Sequence, residues 1–401
     1  MEGALSPIPD IGIIMDIKKM ADRSVVHLDM DTFFVSVERL KDSRLQGVPL
    51  LIGGTGDRGV VAACSYEART FGIRSGMPVR MARRLCPHGV MISGDYDAYS
   101  QFSQIVTDII EEEAPVYEKA SIDEFFLDLS GMERFFGTSL WARELRSRIM
   151  KETGLPLSMG LSVNKMVSKV ATSEAKPNGH LQISEQEVQP FLAPMAVRKI
   201  PHIGASTARQ LAYLGVRRIL TLRDIPRSVL ERAFGRQGTF LFRCARGEDD
   251  SPVVSHREQK SLSTESTFRQ DTMDPHFLRS TLSKMVEHLG YQLRQQGRLT
   301  ACIAVKVRYA NFETVSKQAK IPYCARDEVL IAKAWELFDT CYEKRIRLRL
   351  VGVRLSDLVP GGAQIQLFNT QYRQIELYDA LDRLKDKHGR QIICRASSLT
   401  G

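Results

Sequence analysis

The chain has 401 residues, with 56 Lys plus Arg against 47 Asp plus Glu and a formal charge of +9. That length exceeds one ordinary hydrophobic core and implies two to four domains. The basic excess favours a polyanionic partner, nucleic acid first, over an acidic one. Seven cysteines (Cys64, Cys86, Cys244, Cys302, Cys324, Cys341, Cys394) include no Cys-x-x-Cys pair, which argues against a disulfide framework and a zinc site. The longest apolar stretch near the start, Ile11 to Met15, is too short for a signal segment or a membrane span, so a cytoplasmic protein is expected.

Residues 1–23 carry no readable pattern and are taken as an N-terminal extension. From Val25 to Asp31 the residues alternate as in a strand, with Val26, Leu28 and Met30 inward and Asp29 and Asp31 on the other face. Phe33 and Phe34 follow and by themselves read as core. Gly54-Thr55-Gly56-Asp57-Arg58-Gly59 has the spacing of a dinucleotide-binding loop, which must lead from a strand into a helix. Here apolar runs lie on both sides, Val48 to Ile52 and Val60 to Ala63, so it reads as a strand-loop-strand turn. Cys64 to Gly72 reads as a helical turn with Ser65 as N-cap and Gly72 near its end, which puts Tyr66 and Arg69 on one face. A hydroxyl beside a planar guanidinium suits phosphate oxygens.

The most informative segment is Ser121-Ile122-Asp123-Glu124, set between the apolar runs Val116 to Ala120 and Phe125 to Leu129. Side chains alternate along a strand, so Asp123 and Glu124 share a face only at a tight turn between two strands. With Asp29 a third carboxylate becomes available, and a strongly charged cation is the usual reason to gather three groups that repel one another. All-oxygen ligation points to magnesium. Taken singly, each acid reads more readily as a solvated strand end, and it is the combined spacing and flanks that favour the metal reading. The helical run Lys165 to Glu174 ends at Ala175-Lys176-Pro177-Asn178-Gly179, a turn that holds Lys176 in place.

Ile200-Pro201-His202-Ile203-Gly204, followed by Thr207, Leu211 and Gly215, has the form of a helix-hairpin-helix, whose turn at Gly204 offers backbone amides to a DNA phosphate. A plain packing unit is the other reading. Gly247 to Pro252 is polar and turn-rich, as a linker should be. Beyond it, Lys306 and Arg308 alternate with Val305 and Val307, and Arg345, Arg347 and Arg349 alternate with Ile346, Leu348 and Leu350. Two strands with one apolar and one basic face describe a DNA-tracking surface with salt-dependent affinity. After Pro360-Gly361-Gly362 come Gln364-Ile365-Gln366-Leu367-Phe368 and an amphipathic helix from Tyr372 to His388 closed by Gly389.

Asp29-Met30-Asp31-Thr32-Phe33-Phe34, Tyr66-Glu67-Ala68-Arg69, Ser121-Ile122-Asp123-Glu124 and Ala175-Lys176-Pro177-Asn178-Gly179 occur together and in order, and from about residue 24 to Phe368 the chain resembles the Y family of translesion DNA polymerases, above all its bacterial members. The resemblance implies a multidomain α/β right-hand polymerase. Its parts would be a palm at 24–32 and 98–183, fingers at 33–97, a helix-hairpin-helix thumb at 184–250, a linker at 251–258 and a little finger at 259–360, with a clamp-binding peptide and tail at 361–401. It implies that Asp29, Asp123 and Glu124, with the Met30 carbonyl, hold two magnesium ions, and that Tyr66, Arg69 and Lys176 contact the triphosphate. Phe34 would be the steric gate that excludes a ribose 2′-hydroxyl, with Phe33 beside it at the nucleotide; Asp31 matches the motif without a ligand role. Gln364, Leu367 and Phe368 resemble a sliding-clamp peptide.

Primer-template DNA, deoxynucleotides and a sliding clamp are the implied partners of a monomer associated with the nucleoid, with no membrane involved. The implied activity is low-fidelity synthesis across damaged bases in damage tolerance. A catalytically silent, DNA- and clamp-bound accessory member is the alternative, which degraded acidic motifs would mark. Two features depart from the family pattern: 33 residues follow the clamp-like peptide, and Phe125 follows the acidic pair where many relatives carry a small residue.

Overall fold

The computed structural model describes residues 23–54, 56, 58–132, 137–256, 258–361, 371–389 and 392–398. The chain divides into two compact units, up to residue 257 and from residue 258 on. In the first, the strands are β1 (Val25–Met30), β2 (Leu50–Gly53), β3 (Val61–Cys64), β4 (Val90–Ile92), β5 (Tyr117–Lys119), β6 (Glu124–Asp128), β7 (Leu157–Ser162) and β8 (His180–Gln182). A five-stranded sheet has the order β5-β6-β1-β7-β8, so the strand with the first two aspartates is central and pairs antiparallel with β6 and β7.

The alternation of β1 decides what covers each face. Val26, Leu28 and Met30 pack with Val106 and Ile110 of helix Tyr96–Glu113 and with Leu145 and Ile149 of helix Thr138–Thr153. The other face, which carries His27 and Asp29, is roofed by helix Lys165–Ala175, capped at its start by the Asn164 side chain on Val167 N. This helix lies directly on β7, where a Cβ on Gly160 would meet Ser168 O at 2.2 Å and Thr172 N at 2.5 Å. Its Val167, Val170 and Ala171 also enter a helical core with Leu211, Ile219, Leu230 and Leu241.

A second, three-stranded sheet, β3-β2-β4, packs with the short helices Tyr66–Thr70 and Val79–Leu85. The Gly-x-Gly-x-x-Gly segment joins β2 to the antiparallel β3, a strand-to-strand connection and not a strand-to-helix one. The polar run from Gly247, expected to be a linker, is instead bound along its length. Asn164 Nδ2 donates to Gly247 O (2.7 Å), Met166 N to Asp249 Oδ2 (3.1 Å) and Val254 N to Glu118 Oε2 (3.0 Å). Polar, turn-rich composition suits such a strap as well as a free tether, because both must satisfy backbone groups outside regular structure.

The second unit is a four-stranded antiparallel sheet, β9 (Ser261–Thr272), β10 (Arg298–Tyr309), β11 (Thr314–Cys324) and β12 (Leu348–Pro360), in the order β11-β10-β12-β9. Ile303, Val305, Val307, Val351, Val353 and Leu355 face helices Pro275–Gln295 and Asp327–Cys341. A further helix, Gln371–His388, ends at Gly389 with φ +94°, as the sequence predicts. No described helix is long and apolar enough to cross a membrane.

Candidate active site

Asp29 and Glu124 are direct cross-strand partners at the ends of β1 and β6. Since Leu28 and Phe125 point into the core below, both carboxylates rise on the face under helix Lys165–Ala175. The expected tight turn is present: Ala120 N and Ser121 N both donate to Glu124 O, at 2.9 and 3.3 Å, and Met30 N bonds Asp123 O at 3.0 Å. Each acid has its own partner. Lys176 Nζ lies 2.5 Å from Asp29 Oδ1, Lys169 bonds Glu124, and Ser121 Oγ donates to Asp123 Oδ1 at 2.5 Å. Among the described residues, no group of three or more His, Cys, Asp or Glu is set to hold a metal, so the three carboxylates are neighbours, not a ready-made cage.

The electrostatics separate the two half-buried acids. Burial raises the Asp29 carboxyl to about 6 against the pull of Lys176, and the charges of Glu124 and Asp123 add to the rise. Burial also works to raise Glu124, but His27 and Lys169 outweigh it and hold that carboxyl down at about 2. His27 is itself pushed down to about 4 by burial and is neutral near pH 7. Its Nδ1 is 2.9 Å from Thr172 Oγ1, and its Nε2 faces Glu124 Oε2 at 3.9 Å.

Asp31, although only two residues from Asp29, turns away. The strand stops at Met30 and Thr32 adopts the left-handed conformation (φ 44°), which starts helix Phe33–Lys41. Its carboxylate is 1% exposed and accepts from Ser158 Oγ (2.8 Å), Asn178 N (2.6 Å) and Tyr66 OH (3.2 Å). Asp31 thereby ties β7, the turn after Lys176 and helix Tyr66–Thr70 to one point. Ser65 caps that helix through Ala68 N (3.2 Å), and Arg69 lies over the Tyr66 ring at 4.9 Å. Lys176, Tyr66 and Arg69 thus stand at the edge where the acids end.

The two phenylalanines part company. Phe33 is 3% exposed and its ring fills the core. Phe34 is partly exposed, with one face stacked on Tyr99 at 4.2 Å and 13°.

Residues 28–173 match the impB/mucB/samB family, and residues 259–367 match its C-terminal domain. The DNA polymerase IV of Dehalococcoides mccartyi is 35% identical over 374 residues, spanning 92% of this chain and 96% of the relative. That of Halorhodospira halophila is 36% identical over 356 residues, spanning 87% and 99%. Among solved structures, the Y-family DNA polymerase chimera Dbh-Dpo4(243-245)-Dbh superposes with a TM-score of 0.77 at 26% identity, over 84% of this chain and all of that one. The chain belongs to the Y family of DNA polymerases. It therefore has the mixed α/β palm, fingers, thumb and little-finger architecture of that family.

In this polymerase Gly204 precedes helix Ala205–Tyr213, but the element before the turn is a single 3₁₀ turn, Val197–Lys199, and His202 carries the positive φ of 68°. In the second unit, Lys306 and Arg308 do lie on the face of β10 opposite the core, beside Glu265 (2.7 Å) and Thr314 (2.9 Å). The arginine alternation is corrected. Arg345 and Arg347 lie ahead of β12, which begins only at Leu348, and Ile346 is exposed where an inward side chain was expected. The reason is that both neighbouring strands run out at Leu348, which faces Tyr309 on one side and Thr272 on the other, and beyond it the pairing reduces to Ala310 N on Arg347 O (2.9 Å). Arg349 stands at the register shift with its guanidinium 4.6 Å from the Phe312 ring. Gln364, Leu367 and Phe368 lie outside the described residues.

Sequence reasoning missed Lys169, Ser158 and Tyr99, which hold Glu124, Asp31 and Phe34. Lys169 had one local signal, its position on the same helix seven residues before Lys176. The other two contacts join segments far apart in the chain, and nothing in local spacing marks them.

Proposed function

We propose that this polymerase copies damaged template DNA with low fidelity, and that nucleotidyl transfer from a deoxynucleoside triphosphate to a primer 3′-hydroxyl takes place at Asp29, Asp123 and Glu124. The observation that carries the reading is the half-buried pairing of Asp29 with Glu124 across β1 and β6, with Lys176 and Tyr66 at the same edge, in a chain of this family.

The donor chemistry suits magnesium: the acids offer only oxygens, and the Asp29 carboxyl is raised by burial first, with the charges of Glu124 and Asp123 adding to what Lys176 does not fully offset. Bound at Asp29, Asp123, Glu124 and the Met30 carbonyl, two magnesium ions would supply the positive charge that activates the attacking hydroxyl and stabilises the departing pyrophosphate. The chain's own residues do the rest. Lys176, Arg69 and Tyr66 bind the triphosphate and offset charge on its oxygens. The Tyr66 phenol, whose pKa burial and the Asp31 charge raise, stays a proton donor to a phosphate oxygen. The free face of Phe34 closes off the space next to C2′ of the sugar.

On this reading the palm is 24–32 and 98–183, the fingers 33–97, the thumb 184–250 and the little finger 259–360, with residues 251–258 between. Lys306, Arg308 and Arg349 on the little finger, Arg345 and Arg347 before its last strand, and Gly204 of the thumb meet DNA phosphates without reading sequence. The protein works as a monomer, and Gln364, Leu367 and Phe368 dock on a sliding clamp. Small fingers enclose the new base pair loosely, which leaves selection mostly to base pairing.

The test is primer extension with magnesium on undamaged and minor-groove-adducted templates, comparing the natural chain with Asp123→Asn, Glu124→Gln. Extension past the adduct by the natural chain and none by the folded double variant is expected. Full extension by the variant would remove the chemistry from these carboxylates, and no synthesis past the adduct by the natural chain would remove the translesion role.

A further inference from the structure

The ring of Phe34 has no covalent restraint beyond its own rotamer, yet a steric gate discriminates only if its ring cannot retreat. What stands behind it is Tyr99, 65 residues later on helix Tyr96–Glu113, nearly parallel to the Phe34 ring at 13° with centroids 4.2 Å apart. Tyr99 is 1% exposed and is itself fixed on three sides. Its hydroxyl donates to Glu38 Oε1 at 2.7 Å. Phe33 lies against its ring at 6.3 Å and 59°. Gly94 leaves it room, since a Cβ there would meet the Tyr99 ring at 3.2 Å and its hydroxyl at 3.3 Å.

Glu38 closes the arrangement. It is 7% exposed and sits one helical turn after Phe34, so the residue that anchors the buttress belongs to the same helix as the gate. Lys41 bridges the two helices by reaching both Glu38 (3.4 Å) and Asp95 (2.7 Å), the N-cap of the Tyr99 helix. A buried polar group satisfied in this way is rigid, because moving the ring strands a hydroxyl or a carboxylate away from water.

We propose that Tyr99, held by Glu38, is a positioning residue for sugar selection: it sets how far the Phe34 ring stands toward the 2′ position of the incoming nucleotide. This rests on the reading of Phe34 as the gate. Tyr99 touches neither sugar nor phosphate in this role and acts only through Phe34. The stacked face cannot be entered, so any added volume at C2′ meets a ring with a wall behind it. A smaller side chain at position 99 lets the ring tip back and admits a hydroxyl.

The experiment is single-nucleotide incorporation opposite an undamaged template base, with each deoxynucleotide compared with its ribonucleotide, for the natural chain, Phe34→Ala, Tyr99→Leu, Glu38→Leu and Glu38→Gln. Tyr99→Leu is expected to raise the ribo-to-deoxy ratio of kcat/KM by about three- to tenfold, the change that loss of one stacked aromatic pair can produce. Glu38→Leu should raise it less, and Glu38→Gln, which keeps an acceptor for the Tyr99 hydroxyl, should restore the natural ratio. A Tyr99→Leu ratio equal to the natural one, alongside a raised ratio for Phe34→Ala, overturns the buttress and leaves the gate standing. So does an equal fall in both activities, the mark of a merely structural role. An unchanged ratio for Phe34→Ala overturns the gate itself and the proposal with it. If Tyr99→Leu does not fold, the two Glu38 variants carry the same decision.

Discussion

Asp31 shows how a residue can sit inside a catalytic motif and do something else. Alternation put it on the face of Asp29, but the chain leaves the strand after Met30, and Asp31 becomes the common acceptor for Ser158, Asn178 and Tyr66. The donors come from three elements, of which β7 and the turn after Lys176 also meet through Met159 N on Gly179 O (3.0 Å). Asp31→Ala leaves the Ser158 hydroxyl without this acceptor in a buried place and Tyr66 and Asn178 N without theirs in partly buried ones, and an unsatisfied buried donor costs about 1–3 kcal/mol. With partial relaxation, urea unfolding should show a loss of about 3 kcal/mol, and Asp31→Asn, which still accepts, about half of that. A loss within experimental error would mean that water takes over the three bonds. The motif was legible from sequence; this role was not, because it depends on where β7 and the turn after Lys176 arrive.

At the scale of elements, helix Lys165–Ala175 links the face that carries Asp29 and Glu124 to the rest of the first unit. One side rests on β1 and β7, another enters the helical core, and its lysines reach Glu118 and Glu124. Gly160 is what allows this closeness. Gly160→Ala inserts a methyl 2.2 Å from Ser168 O, a backbone atom that can yield only if the whole helix shifts. Overpacking of that kind costs about 1–3 kcal/mol. The expected outcome is a lower melting temperature together with a disproportionate fall in incorporation, since Lys169 and Lys176 move with the helix. Full activity at a lowered melting temperature would show that the lysine positions are independent of it. The helix itself was evident in the sequence from its run and its terminating turn. Its two-sided burial was not, because its pattern does not say which neighbours arrive.

At the scale of the molecule, the C-terminal segment belongs to the second unit and is not an appendage. Arg294, mostly buried, pairs with Asp327 of one helix and Asp382 of the terminal one, at 2.8 and 2.7 Å. Tyr378 OH accepts from Asp327 N (3.0 Å), and Ser398 bonds both Ser280 (2.8 Å) and Glu287 (2.7 Å). The contacts that dock the helix are polar, whereas Leu377 and Leu384, the residues that give it an amphipathic look, are exposed. Ending the chain after Thr370 strips Arg294 of one carboxylate and uncovers Glu287. Removing one partner of a buried charge pair costs about 3–5 kcal/mol. Calorimetry of the shortened protein beside the full chain should therefore show a transition moved down by several degrees, with primer extension in the absence of a clamp retained; an unmoved transition would make the docking incidental.

The sequence by itself determined the family and the residue types gathered at the candidate site. Four short motifs place carboxylates, cations and an aromatic ring at strand ends and turns, and those placements follow from local rules: period-two alternation, an N-cap at Ser65, a stop at Pro177. Only the tertiary structure decided the partnerships: Lys169 with Glu124, Asp31 with three separate elements, Tyr99 behind Phe34, and Arg345 and Arg347 left outside a strand for want of neighbours. The physical reason is range. A side chain's direction is set by the few residues around it, but what it meets is set by which distant segments close the core, and that is a property of the packed whole.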